Sequence, residues 1–267
     1  MPEPVEGFET VGQHRIHYAK WGRKGNAIVI LHSMGVDDHS MDLLCEALAE
    51  RYRILALTNL AHGQSSVPEE NVTLPEHSEI LRECYRRLGF TPCVLIGHSI
   101  GGRMGMILAA EHPEEVRGMV LVDIAPPDPV ARSWSSTTPE SFRNRKEAED
   151  WLKQRYPGFD PRYIENRLRY GFIEQRDGSL KPRPTGSPTM VSYSTDLWPY
   201  LGKIKIPTKL VLGGNSQLVT PEKLERMSIL VRGLDVAKVE GASHMVPQDK
   251  PDEFQKEVES FLKKLGW

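Results

Sequence analysis

Ser99 stands at the centre of Gly97-His98-Ser99-Ile100-Gly101, a spacing that suits a serine to nucleophilic attack. The apolar run Cys93-Val94-Leu95-Ile96 precedes it. Gly102-Arg103-Met104-Gly105-Met106-Ile107-Leu108-Ala109-Ala110 follows. Strand, sharp turn and helix are therefore predicted in that order. Such a turn lifts the hydroxyl out of the sheet, and the flanking glycines keep the two backbones from colliding. The helix also directs its first N–H groups and positive dipole end at whatever Ser99 attacks. The pentapeptide alone is a weak signal; its strand and helix context makes it a specific one.

A serine hydroxyl needs a base within hydrogen-bond reach, and the base needs a partner that fixes its tautomer. Of the nine histidines, most have structural explanations. His14 and His17 flank an early strand, His77 and His112 lie on helices, and His39 sits at a helix start. His98 is the variable position of the pentapeptide. His62, in Ala61-His62-Gly63-Gln64-Ser65, suits a buried hydrogen bond in a loop. His244 differs. It follows the last predicted strand in Glu240-Gly241-Ala242-Ser243-His244-Met245-Val246-Pro247, on the sheet edge that carries Ser99, and is the expected base.

Three residues compete to orient it. Asp123 ends the strand Met119–Val122, one strand over from Ser99, and is preferred. The loop Gly213-Gly214-Asn215-Ser216-Gln217 has no carboxylate, so Asn215 offers hydrogen bonding without charge, and Ser216 adds a hydroxyl. Asp196, where an irregular stretch rejoins the sheet, ranks third. Two backbone donors are needed for a developing oxyanion. Ile100 N–H is one, and Met34 N–H in the loop His32-Ser33-Met34-Gly35 is the other. No histidine has metal-ligand spacing, so neither metal nor cofactor is expected.

The elements that must hold these groups follow an α/β pattern. Predicted strands at Arg15–Ala19, Ala27–Leu31, Arg53–Leu57, Cys93–Ile96, Met119–Val122, Lys209–Leu212 and Asp235–Val239 alternate with helices. The helices run over Met41–Arg51, Leu74–Leu88, Ile100–His112, Pro221–Leu230 and Pro251–Leu265. From Pro126 to Tyr200 the alternation breaks. That stretch has helical periodicity around Glu147–Tyr156 and Arg162–Tyr170, with Gly178–Pro188 read as loop. It is expected to lie over the carboxyl edge of the sheet, where ligands bind in such folds. Trp134, Phe142, Trp151, Tyr163, Phe172 and Met190 either line an acyl pocket or form the stretch's own core.

A net charge of −2 gives no electrostatic case for nucleic acid. Cys45, Cys84 and Cys93 form no CxxC pair, which predicts three reduced thiols. No apolar run is long enough to span a membrane, and the polar, acidic start points to a cytoplasmic protein. Monomer and homodimer both remain open.

Taken together, the chain resembles the α/β-hydrolase superfamily over essentially its whole length. Within it the chain is most similar to small esterases related to abhydrolase domain-containing protein 11. The matching pieces are Gly97–Gly102, Val122-Asp123-Ile124-Ala125-Pro126, Gly213-Gly214-Asn215-Ser216 and Gly241-Ala242-Ser243-His244. The resemblance implies a mostly parallel sheet flanked by helices, with residues 1–125 and 201–267 as core and 126–200 as a mainly helical cap. It implies Ser99, Asp123 and His244 as the catalytic set, with Ser216 in their network. Two departures stand out: Ser33 where relatives have the glycine of His-Gly, and Thr58 where they usually carry an aspartate. The expected activity is hydrolysis of small to medium acyl or aryl esters through an acyl-enzyme. Lactone, thioester or carbon–carbon bond hydrolysis by the same residues stays open. A non-catalytic ligand-binding scaffold is the competing reading from another class.

Overall fold

The computed structural model describes residues 3–127, 138–184, 191–192 and 195–267. Its first half contains β1 (Val5–Val11), β2 (His14–Trp21), β3 (Ala27–Leu31), α1 (Asp42–Leu48), β4 (Arg53–Leu57), β5 (Val72–Thr73), α2 (Leu74–Arg87), β6 (Cys93–His98), α3 (Ile100–Glu111) and β7 (Val116–Val122). Then come α4 (Arg145–Arg155), α5 (Pro161–Tyr170), β8 (Phe172–Glu174), β9 (Leu180–Pro182), β10 (Val191–Ser192) and α6 (Trp198–Leu201). The chain finishes with β11 (Thr208–Gly213), α7 (Pro221–Leu230), β12 (Asp235–Val239), α8 (Val246–Asp249) and α9 (Pro251–Leu265).

Eight strands make the main sheet, ordered β1-β2-β4-β3-β6-β7-β11-β12. From β4 to β12 every pairing is parallel, and β2 alone opposes its neighbours. The central strands β3 and β6 are buried at every residue, which explains their unbroken apolar runs. One face is covered by α2, α3 and Met227 of α7, the other by α1 and α9. On α9, Phe254, Val258, Phe261 and Leu262 form a single buried stripe, each contributing roughly 1.5–3 kcal/mol. Thr73 and Glu76 close a reciprocal capping box at the start of α2. Parallel β3, β6, β7 and β11 all end on one edge, so the loops after them converge there.

The region between β7 and β11 differs from expectation in one respect. Leu180–Pro182 is a strand, not loop: it pairs antiparallel with β8, and Phe142 bridges to Leu180. Of the two readings left open for the region's aromatic residues, Phe142, Tyr163 and Phe172, with Trp151 packed against them, take the second and form a local core with Leu152 and Leu168. Trp134 and Met190 lie outside the described residues. The helix predicted from Met41 begins instead as a 3-10 turn, Asp38–Met41, because the Asp37 carboxylate accepts from His39 N and caps it early. Cys45, Cys84 and Cys93 are free and buried. Among the described residues no helix is long and apolar enough to cross a membrane.

Candidate active site

Ser99 connects β6 to α3 with φ 53° and ψ −115°, a conformation that L residues seldom adopt. Two backbone bonds hold it there: Ser99 N–H donates to Val122 O at 3.1 Å, and Arg103 N–H to Ser99 O at 3.1 Å. Glycine is demanded on both sides. A Cβ on Gly101 would lie 2.1 Å from Leu31 O, and one on Gly97 would lie 2.6 Å from Gly101 O. Ile100 N–H opens the helix and has no earlier intrahelical carbonyl to bind, so it is available to a ligand.

Asp123 follows the last residue of β7, is buried, and also has positive φ (44°). Its N–H donates to Val211 O at 2.8 Å, which stitches the turn to β11. Three donors converge on its carboxylate. His244 Nδ1 reaches Oδ2 at 2.8 Å, Ser216 Oγ reaches the same oxygen at 2.6 Å, and Gly213 N–H reaches Oδ1 at 3.0 Å. Because Nδ1 donates to the carboxylate, His244 Nε2 keeps its lone pair, which is the tautomer a general base requires. Asn215 and Asp196 do not reach His244. Asn215 Nδ2 donates to Gly241 O at 3.3 Å, and Asp196 Oδ1 accepts from Trp198 N–H at 3.1 Å.

His244 is held by groups that sequence reasoning passed over. Asp249 Oδ2 accepts from Ser243 N (2.7 Å) and Ser243 Oγ (2.6 Å), shaping the loop just before the imidazole. His98, read from sequence as a variable position, donates from Nε2 to His244 O at 2.9 Å. The His98 and His244 ring centroids are 5.0 Å apart, so the imidazole stands beside the residue preceding Ser99. The signal was present in the adjacency of His98 to the serine, but a side chain bonding to a backbone 146 residues away leaves no local pattern. Ser99 Oγ makes no hydrogen bond to a described residue. The imidazole and carboxylate are joined, and Ser99 Oγ is not hydrogen-bonded to the imidazole.

The loop after β3 is organised by His32. Its Nε2 accepts from Asn59 N–H at 2.8 Å, so Nδ1 carries the proton and donates to Ser33 O at 2.7 Å. Ser33 C=O and Met34 N–H share one peptide plane. The buried imidazole therefore fixes the direction in which Met34 N–H points. Ser33 Oγ is turned back to Met34 O at 3.4 Å instead of outward as a donor. Thr58, where relatives usually have an aspartate, donates from Oγ1 to Asp38 Oδ1 at 2.5 Å. A carboxylate is thus supplied to this spot by the neighbouring loop.

Four buried histidines have lowered pKa values, chiefly because burial penalises the imidazolium. His32, His77 and His98 fall to about 3 and His62 to about 4. Folding therefore excludes protons that the unfolded chain binds below its usual imidazole pKa of about 6.5. The stability they support is whole above that value and is lost as pH falls toward 3–4. We expect His77→Gln to flatten the pH dependence of unfolding free energy between about pH 6 and 4 by about one proton, ~1.4 kcal/mol per pH unit. Denaturant titrations at a series of pH values would show this; an unchanged slope would exclude it.

The model of the alpha/beta hydrolase fold matches residues 26–251 of the chain. The chain is 27% identical over 249 residues to 2-(acetamidomethylene)succinate hydrolase of Mesorhizobium japonicum, covering 90% of this chain and 89% of that protein. It is 29% identical over 252 residues to the Mus musculus sn-1-specific diacylglycerol lipase ABHD11, covering 88% and 80%. To esterase Rv0045c of Mycobacterium tuberculosis it is 26% identical over 263 residues, covering 93% and 86%. The crystal structure of E-2-(acetamidomethylene)succinate hydrolase superimposes with a TM-score of 0.84 at 24% identity over 97% of this chain and 99% of that one, a likeness of fold. With its sheet order and strained strand-to-helix serine, the chain belongs to the alpha/beta hydrolase family and is a hydrolase with esterase-like and lipase-like relatives.

Proposed function

We propose that the protein is a serine carboxylic ester hydrolase that works through an acyl-enzyme. The observation that carries this reading is the 2.8 Å bond from His244 Nδ1 to Asp123, in a ring packed beside the strained Ser99 turn. In the first step His244 Nε2 takes the Ser99 proton as Oγ attacks the ester carbonyl. The oxyanion accepts from Met34 and Ile100 N–H, and the imidazolium then protonates the departing alcohol. In the second step His244 takes a proton from water as the water oxygen attacks the acyl carbonyl; the bond to Ser99 Oγ then breaks, the imidazolium returns its proton to Oγ, and the acid is released. A positioned base is worth about 10²–10⁴ in rate, and each oxyanion donor about 10²–10³.

The names of the relatives support acyl-bond cleavage, and small to medium acyl or aryl esters are the proposed substrates. Residues 126–200 are the proposed cap, supported by the separate core that α4, α5, β8 and β9 build. A fluorophosphonate probe should label Ser99, identified by peptide mass spectrometry. p-Nitrophenyl butyrate should release a burst of one p-nitrophenolate per active site. Labelling elsewhere, or none, together with the absence of a burst would overturn the proposal.

A further inference from the structure

The loop that carries Met34 is anchored on its upstream side by His32. Its downstream anchor comes from a distant part of the chain. Arg167, on α5, donates from Nη2 to Gly35 O at 3.2 Å and from Nη1 to Asp37 Oδ2 at 3.3 Å. Both ends of this contact are nearly closed to solvent, with side chains 12% and 6% exposed for Arg167 and Asp37. Asp37 in turn caps the 3-10 turn by accepting from His39 N. The guanidinium thus spans the two positions that bracket the end of the loop, immediately after Met34. Room for it is provided by Gly171, where a Cβ would lie 2.6 Å from Arg167 Nε.

Other contacts hold α5 in place independently of Arg167. Asn166 Nδ2 donates to Asp42 Oδ2 at 2.8 Å, and the Tyr170 ring stacks on His39 at 3.7 Å with an interplanar angle of 6°. His39 Nδ1 also donates to Asp42 Oδ2 at 2.8 Å. Burial alone would lower the His39 pKa, but its bond to Asp42 and the charges of Asp42, Asp38 and Asp37 outweigh this and raise it to about 9. The Tyr170 stack on His39 and the Asn166 bond to Asp42 thus join α5 to the 3-10 turn and α1 without using Arg167. Its two bonds go to the loop.

We infer that Arg167 is a positioning residue that holds the Met34 N–H in line with the oxyanion. The inference rests on the proposed role of Met34. It assigns to the segment between β7 and β11 a part in transition-state stabilisation, without any contact to the reacting atoms. A displacement of about 1 Å in a positioned group is enough to cost on the order of 10²-fold in rate. An oxyanion donor acts on the transition state more than on the bound ester, so its loss appears in kcat.

The test uses the full chain, with active sites counted by fluorophosphonate titration. Arg167→Gln is expected to lower kcat for p-nitrophenyl butyrate about 10–100-fold, with KM within about twofold. Arg167→Lys, which can reach one acceptor at a time, should recover part of the loss. Gly171→Ala keeps the arginine but intrudes on its guanidinium, and should lower kcat in the same direction. A boronic acid, whose tetrahedral adduct places an oxygen where the oxyanion forms, should lose affinity by the same factor as kcat/KM. The product carboxylate should bind unchanged. Unchanged kcat in Arg167→Gln, or a raised KM at full kcat, would overturn the inference while wild type still labels at Ser99. Failure of wild type to label or turn over would instead remove the ester-hydrolase reading, and this inference with it.

Discussion

Ser99→Gly is expected to hydrolyse no ester above background, yet to unfold at a higher temperature than the wild type. Loss of the nucleophile in a serine hydrolase costs on the order of 10⁶ in kcat. The gain in stability has a separate origin. At φ 53° and ψ −115° a residue with a Cβ is strained, by about 1–3 kcal/mol. Glycine relieves that strain at an entropic cost of about 0.5–1 kcal/mol. No hydrogen bond is lost, because the hydroxyl makes none to a described residue. The net gain is about 1 kcal/mol, or about 2–4 °C in Tm for a chain of this order of size. Ser99→Ala is the control: the same loss of turnover with no rise in Tm, since the Cβ remains. Calorimetry that placed the glycine variant below the alanine variant would show the turn to be unstrained.

Asp123→Asn should reduce kcat on the order of 10⁴-fold, the scale seen when a triad aspartate is made neutral and its histidine changes tautomer. The asparagine amide cannot satisfy all three donors that meet at this carboxylate. With its NH2 toward His244, it favours protonation at Nε2, where the base needs a lone pair. With its NH2 turned the other way, it faces Gly213 N–H, donor against donor. Fluorophosphonate labelling of Ser99 should slow in parallel, because the same base activates the hydroxyl. Asn215→Asp in that background should not rescue turnover, since Asn215 is bonded to Gly241 O and not to the imidazole. Rescue by Asn215→Asp would move the acid's role to the loop after β11.

Much of this architecture is legible from local chemistry. β3 and β6 announce themselves because a strand buried on both faces must be apolar throughout, and Gly97 and Gly101 mark a turn with no room for a Cβ. The position of Asp123 at the end of a strand put it on the correct edge, and the structure brings it to 2.8 Å from His244. Elements supported by distant partners were harder to read. β1 contains Glu6, Gly7 and Glu9, and as an edge strand its residues show only a partial burial pattern. β9 is a three-residue strand holding Lys181 and Pro182, which read as loop until Phe172–Glu174 and Phe142 are seen to pair with it. His32, His98, Asp249 and Arg167 act through backbone atoms of other segments. Such bonds constrain one polar group each and impose no periodicity on the sequence.

Gly101 has a consequence beyond permitting the turn. Its Cα lies so close to Leu31 O and His32 O that the start of α3 and the end of β3 form one interlocked block. The imidazole and its carboxylate are tied through Gly213 and Ser216 to the loop after β11, and they join the same block through the bonds from His98 Nε2 to His244 O and from Ser99 N–H to Val122 O. A shift of the loop after β3 would therefore be passed to the start of α3, and through the Ser99 N–H bond to Val122 O to the turn that carries Asp123.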